Sequence, residues 1–226
     1  MTLSAPLEAL NAETDRLSAI LAGLAPRAWS RPTRCAPWDV SALCAHLTIG
    51  LSRLVPMLDA PAPPAATVDA AGYFRPDARY SEAVNTTRLD DALGAAAGAG
   101  GPALAATFDL IRRNVLAGCG HQPPGRLVTT RHGDPMTLAD FLTTRVVEVA
   151  VHGIDLADAL DRPRWTTPEA SAHVSELLLG PGVEAALAGL GWDPVAFIAK
   201  ATGRDPLPAA ERARAEALGV RWLALG

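Results

Sequence analysis

Residues 145–160 read RVVEVAVHGIDLADAL. The run is oily, yet it carries Arg145, Glu148, His152 and Asp155. At about 100° per residue these four positions fall within an arc of roughly 80° on a helix. Val146, Val147, Val149, Ala150, Val151 and Ile154 cover the remaining faces. A helix that is apolar almost all round is a buried helix. Ionisable groups on a buried helix must be paired, hydrogen-bonded or bound to a metal. Any fold for this chain has to place that stripe against partners of matching chemistry.

Glu148 and His152 are one turn apart, so both side chains can close on one ion, and zinc accepts both ligand types. A catalytic zinc site takes three protein ligands and keeps one position open. The other histidines are His46, His121, His132 and His173. His46 is the best third ligand, because it sits in the middle of an apolar segment, LCAHLTIG, where an unpaired imidazole is costly. His121 and His132 lie in loop-like sequence beside Pro and Gly, and His173 falls on a polar face of the tail. Cys44 is two residues from His46, about 200° away round a helix, and is excluded. The alternative is a buried Arg145–Glu148–His152–Asp155 hydrogen-bond network that fixes helix register. Asp155 is either an outer acceptor for a metal-bound imidazole or a plain helix-surface aspartate. Arg145 either binds a substrate carboxylate or pairs with an acid in the bundle. Trp38, just before the His46 helix, reads as a core residue. Asp155 and Trp38 are also taken as the candidate cofactor-binding residues.

The chain around this stripe is helical. Leu7, Leu10, Leu17, Ile20, Leu21 and Leu24 give an amphipathic helix over 5–24. A breaker region follows, and PWDVSAL opens a second helix near Asp39. Residues 60–102 hold APAPPAA and GAAAGAGGP, read as mobile loops and linker around a polar segment with room for one short helix. Helical spacing returns over 103–117. RLVTTRHGDPMT reads as a short β-hairpin turning at Gly133 and Asp134. Thr137 and Asp140 form a capping-box pattern that opens the stripe helix, which ends near Asp161. The expectation is an all-α fold: an up-and-down four-helix bundle over 1–162 with a short hairpin, and a helical C-terminal extension over 163–226 packed on it. Tail helices are expected at 168–179, 183–190, 194–201 and 208–218.

Bulk properties narrow the function. The 226 residues suit one large domain, or a domain with a modest extension. A net charge of −4 gives no basic footprint for nucleic acid. The N-terminus is amphipathic with mixed charge rather than a signal peptide, and no run approaches about 18 consecutive apolar residues. Three cysteines are too few and too scattered for a disulfide framework. A reducing, cytoplasmic setting with no membrane partner is expected. The chain has no His-Glu-x-x-His, no paired Glu-x-x-His, no phosphate-binding Gly-rich loop after a strand, and no Gly-x-Ser-x-Gly elbow.

With these residues in view, the sequence resembles the DinB-like metal-binding superfamily. More closely, it resembles the mycothiol-dependent maleylpyruvate isomerase group of actinobacteria. PWDVSALCAHL resembles the group's Trp-x-x-x-x-Leu-x-x-His-Leu helix, with the metal-binding histidine at His46. GDPMTLADFLTTRVVEVAVHGIDLADAL resembles its Arg-x-x-Glu-x-x-x-His-x-x-Asp helix, with the other two ligands at Glu148 and His152. AFIAKATGRDPL resembles a Thr-Gly-Arg segment of the tail. There Arg204 becomes, with Arg145, a candidate catalytic residue that binds an anionic group. The alternative for Arg204 is a helix-terminal surface arginine.

The resemblance implies a divalent metal, zinc first, and mycothiol as co-substrate. A metal-held thiol is deprotonated at neutral pH, and the thiolate attacks a small electrophile. An isomerase releases the carbon after bond rotation, whereas an S-transferase keeps it. The isomerase has a larger α/β C-terminal domain, and the tail here is short and helical. The expected partners are therefore a small-molecule thiol and an electrophile of open identity, acting on a monomer or homodimer. The rival readings are a non-catalytic metal- or thiol-binding protein and a purely structural stripe.

Overall fold

The computed structural model describes residues 3–77, 81–180 and 182–223. Four long helices make the bundle: α1 (Ser4–Ala22), α2 (Val40–Ser52), α6 (Gly101–Gly120) and α7 (Leu138–Ala159). Both α1 and α2 pack against α6 and α7. Between α2 and α6 lie α3 (Leu54–Asp59), α4 (Ala70–Tyr73) and α5 (Glu82–Ala97). A two-stranded antiparallel hairpin, β1 (Leu127–Thr129) and β2 (Pro135–Thr137), precedes α7. The tail holds α8 (Pro168–Leu179), α9 (Val183–Leu190), α10 (Pro194–Ala201) and α11 (Ala209–Ala217). This is the expected all-α bundle with a short hairpin and a helical tail.

Local chemistry sets the boundaries. Asp39 caps α2 by accepting the Ala42 N–H at 2.9 Å. Thr137 caps α7 by accepting the Asp140 N–H at 3.0 Å. The Asp140 carboxylate does not close a full capping box. It accepts from the Thr137 hydroxyl and from the Ala70 N–H, which ties α4 to the start of α7. The hairpin turns at Gly133, whose φ of 83° suits a residue without Cβ. The tail is fastened by a buried carboxylate: Glu13 of α1 accepts from both the N–H and the hydroxyl of Thr167, the N-cap of α8, at 2.7 Å each. Burial pushes the Glu13 carboxyl up, against the pull of those Thr167 bonds. One continuous core runs from Leu10 and Leu43 through Phe108 and Ile154 to Val174 and Phe197.

Three readings need correction. The reading of residues 60–102, which left room for one short helix between mobile loops, understates α5, a helix of 16 residues that packs on α2 and runs on into the glycine-alanine stretch. Its alanines are good helix formers, and it buries only Ala92 fully, so it has little apolar periodicity to read. The GAAAGAGG stretch is not a linker either. Gly94 to Ala97 end α5, and Gly101 opens α6 where any side chain would collide with the Trp29 ring. His173 lies not on a polar face but in the interior, 8% exposed, with Nε2 2.9 Å from the Thr143 hydroxyl.

Residues Val40–Asp59 are long and apolar enough by composition to cross a membrane, with mean hydropathy 1.3. Their packing against α5, α6 and α7 explains that hydropathy as the demand of a central bundle helix.

Candidate metal and substrate site

The stripe on α7 faces α2. Arg145 and His152 are buried, Asp155 is fully so, and Glu148 is partly open. The Glu148 Oε2 atom lies 3.6 Å from His46 Nε2 and 3.6 Å from His152 Nε2. The ligand atoms of the three residues all lie within 4.8 Å of one another. Two ligands about 2.1 Å from a tetrahedral ion stand roughly 3.4 Å apart. The trio therefore fits a divalent ion of zinc size after small side-chain shifts, and its donor set suits one. The His46 and His152 rings meet edge to face at 5.3 Å between centroids, and the Trp38 ring covers His46 at 4.6 Å.

Electrostatics act differently on each of the three side chains. Burial pulls His46 down to about 4, against the raising effect of Glu148, so its imidazole is neutral near pH 7. Burial also works to lower His152. The hydrogen bonds to Asp155 and Cys35 and the charges of Glu148 and Asp155 outweigh it and lift His152 to about 9 in the metal-free protein. Burial works to raise Glu148, but His46, Arg145 and His152 hold its carboxyl well below the usual range.

Behind His152 lies a second layer. Nδ1 is 2.9 Å from Asp155 Oδ2. Asp155 in turn accepts two bonds from Arg204, at 3.1 and 3.0 Å, and one from the Cys35 thiol at 3.4 Å. Arg34 stands 3.8 Å from the same carboxylate and donates to the carbonyls of Gly203 and Arg204. Burial works to raise Asp155, but His152 and Arg204 keep it well below the carboxylate range.

A cavity of about 460 Å³ opens over the trio. Of the residues singled out in sequence, His46, Glu148, His152, Trp38, Arg145 and Arg204 line it, while Asp155 stands behind His152. His132 reaches the rim from the hairpin, and His121 lies away from it, exposed at the end of α6. Sequence reasoning missed Cys35, Arg34, Arg53, Arg88, Arg131 and Tyr73. The arginines read as ordinary surface charge in a one-dimensional pattern. Cys35 sits in a turn without periodicity. Cys44 is walled into the core, its thiol pushed by burial up to about 12, in keeping with its exclusion as a ligand.

Fold and site together define a helical bundle of the DinB-like class, with convergent His, Glu and His side chains under an open pocket. The chain belongs to the mycothiol maleylpyruvate isomerase N-terminal domain family, whose profile matches residues 10–157. Two Mycobacterium tuberculosis proteins of uncharacterized function, from two strains, are each 30% identical to it over 168 residues. The match takes in 73% of this chain and 61% of theirs, so the chain spans less than two thirds of the length of these curated relatives. Among solved structures, the mycothiol-dependent maleylpyruvate isomerase aligns with a TM-score of 0.51 at 16% identity, covering 84% of this chain and 70% of that one. A histidine-to-alanine mutant of that enzyme aligns equally well. At such identity the likeness is one of fold.

Proposed function

We propose that the chain is a metal-dependent thiol enzyme, an S-transferase or cis–trans isomerase. His46, Glu148 and His152 hold zinc or another divalent ion, and a mycothiol-type thiol is the co-substrate. The observation that carries this reading is the convergence of three metal-ligating atoms within 4.8 Å at the floor of a 460 Å³ cavity. Family membership and the name of the solved relative, a mycothiol-dependent isomerase, support the thiol. Three unpaired cysteines suit a reducing, cytoplasmic setting.

When bound, such an ion lowers the pKa of a thiol and keeps it as a thiolate nucleophile at neutral pH. The protein's own groups do the rest. His46, neutral near pH 7, presents its Nε2 lone pair. Asp155 accepts the Nδ1–H of His152, which fixes the ring tautomer and leaves Nε2 free to ligate. Arg204 positions Asp155 through its bidentate pair, so residues 163–226 act as an extension that braces the site. Trp38 packs over His46 and holds its ring plane. Arg145, next to Glu148 on the cavity wall, offers a guanidinium to an anionic group of the second substrate. On an isomerase route the thiol sulfur would add to a conjugated C=C, its π pair moving into the conjugated carbonyl, and would be expelled after rotation as the double bond re-forms. On a transferase route it would displace a leaving group that departs with the bonding pair.

Cobalt substitution tests the reading. Adding mycothiol to the cobalt-loaded protein should produce a near-ultraviolet thiolate-to-cobalt charge-transfer band, absent in Glu148→Ala. A cobalt-loaded protein that shows no such band at saturating thiol would refute it.

A further inference from the structure

The cavity wall is strongly positive in a protein of net charge −4. Six arginines line it (Arg34, Arg53, Arg88, Arg131, Arg145 and Arg204) against one carboxylate, Glu148. Arg34 and Arg204 are spent on Asp155. A different group, Arg53, Arg131 and Arg145, gathers near Tyr73 on the opposite side. Among the described residues, Arg53 and Arg131 have no acidic partner within ion-pair distance. The acidic partner of Arg145 is Glu148, at 4.0 Å; Arg145 also donates to the hydroxyls of Thr144 and Tyr73, at 3.1 and 3.5 Å, and stacks on Phe141 with its guanidinium carbon 5.0 Å from the ring centroid. Burial, together with repulsion from Arg131 and Arg145, lowers Arg53 to about 10. Like charges crowded with only the more distant Asp91 and Glu148 as counter-charge are costly to assemble and favour a bound anion.

Beyond these arginines is a second cavity of about 230 Å³. It shares Arg53, Tyr73, Arg131 and Arg145 with the first, so the arginines stand where the two meet. Its other walls are mostly apolar, with Pro56, Met57 and Phe141. An anion subsite flanked on one side by the trio and on the other by an apolar pouch suits an anion that carries an apolar tail.

We infer that the second substrate is a carboxylate with an apolar tail: Arg53, Arg131 and Arg145 hold the carboxylate, and the pouch of Pro56, Met57 and Phe141 holds the tail. This deepens the functional reading above, and rests on it only in treating the ligand as a substrate. The binding claim stands without a metal or thiol.

Calorimetric titration of straight-chain monocarboxylates, from butanoate to decanoate, tests it on the full-length protein, metal-loaded and chelator-treated, beside the matching primary alcohols. Affinity should rise about three- to four-fold per added methylene until the pouch is full, then level off. The alcohols should bind at least ten-fold more weakly. Arg53→Gln and Arg131→Gln should each weaken octanoate several-fold while thermal unfolding confirms that the variants fold. Met57→Trp, with folding checked by thermal unfolding, should flatten the chain-length gain. Affinity independent of chain length, or alcohols that bind as well as acids, would overturn the assignment. So would octanoate binding that disappears with the metal, because the carboxylate would then be a metal ligand rather than an arginine ligand. Octanoate binding that persists in a protein unable to bind metal or thiol would sink the enzyme reading and leave this site standing.

Discussion

The two ring nitrogens of His152 face unlike surroundings. Nε2 looks toward Glu148 and His46 across 3.6 Å and larger gaps, at the floor of an open cavity. Nδ1 looks toward Asp155, fully buried and crowded with donors from Arg204 and Cys35. Among the described residues two groups of three could therefore hold an ion, His46–Glu148–His152 and Cys35–His152–Asp155, and they share His152. Only the first has spare acceptor capacity. In the second, an ion would have to displace the arginine that already neutralises Asp155. The lesson is that convergent ligand atoms are not enough. The ligands must also lack better partners. On the proposed reading the first side would bind the ion, and the second would hold the first in place.

The strongest way to break this contrast is to remove a ligand on each side. Glu148→Ala should abolish turnover and metal binding; it also removes the carboxylate 4.0 Å from the buried Arg145 guanidinium, so circular dichroism read beside the metal assay should show the helical fold retained with some loss of stability. Asp155→Ala should instead damage the fold. It strands the buried Arg204, a situation that costs about 3–5 kcal/mol, read out by urea unfolding. Where the metal site survives, as in the milder Asp155→Asn, metal affinity should fall about 10- to 100-fold, the usual penalty for losing an outer partner. A fold undisturbed by Asp155→Ala would contradict the bracing role.

The pH response sharpens the comparison further. In metal-free protein His46 is depressed to about 4, so stability is present above its unfolded value near 6.5 and is lost as pH falls toward 4. His152 is raised to about 9, so its contribution is full below about 6.5 and is lost as pH rises through 9. Metal-free protein should thus be most stable near pH 6.5, with both arms falling. Adding metal should reverse the alkaline arm, because ligands must be deprotonated to bind. Melting temperatures from pH 4 to 9.5, with and without zinc, will show whether the slope changes sign.

The smallest effect is expected at Cys35. Cys35→Ser keeps a donor toward Asp155 and should change stability by less than about 0.5 kcal/mol, leaving metal content untouched. Loss of metal in that variant would move the ion to the other side of His152.

Much of this was legible in the sequence where chemistry and period coincide. The α7 stripe declares itself because four ionisable groups share one face of an oily helix. His46 stands out as the lone imidazole in an apolar run. The tail helices follow their Pro, Asp and Thr caps closely. Other parts carry no such signal. Helix α5 hides because alanine propensity leaves no apolar stripe. Arg53, at the end of α2, and Arg131, at the tip of the hairpin, look like solvated surface until the chain folds them around one cavity. His173 reads as polar because its partner, Thr143, is on a different helix. Pairings between distant segments, such as Arg204 with Asp155, leave no periodic mark.

The central claim is tested most directly by metal content. Untagged wild-type protein and His46→Ala, both dialysed against zinc at neutral pH, should be assayed by plasma mass spectrometry. The account expects about one ion per chain in the wild type and none in the variant, with both folded. No bound ion in the wild type after that exposure, or an equal amount in the variant, would contradict the account and leave the stripe as a buried hydrogen-bond network.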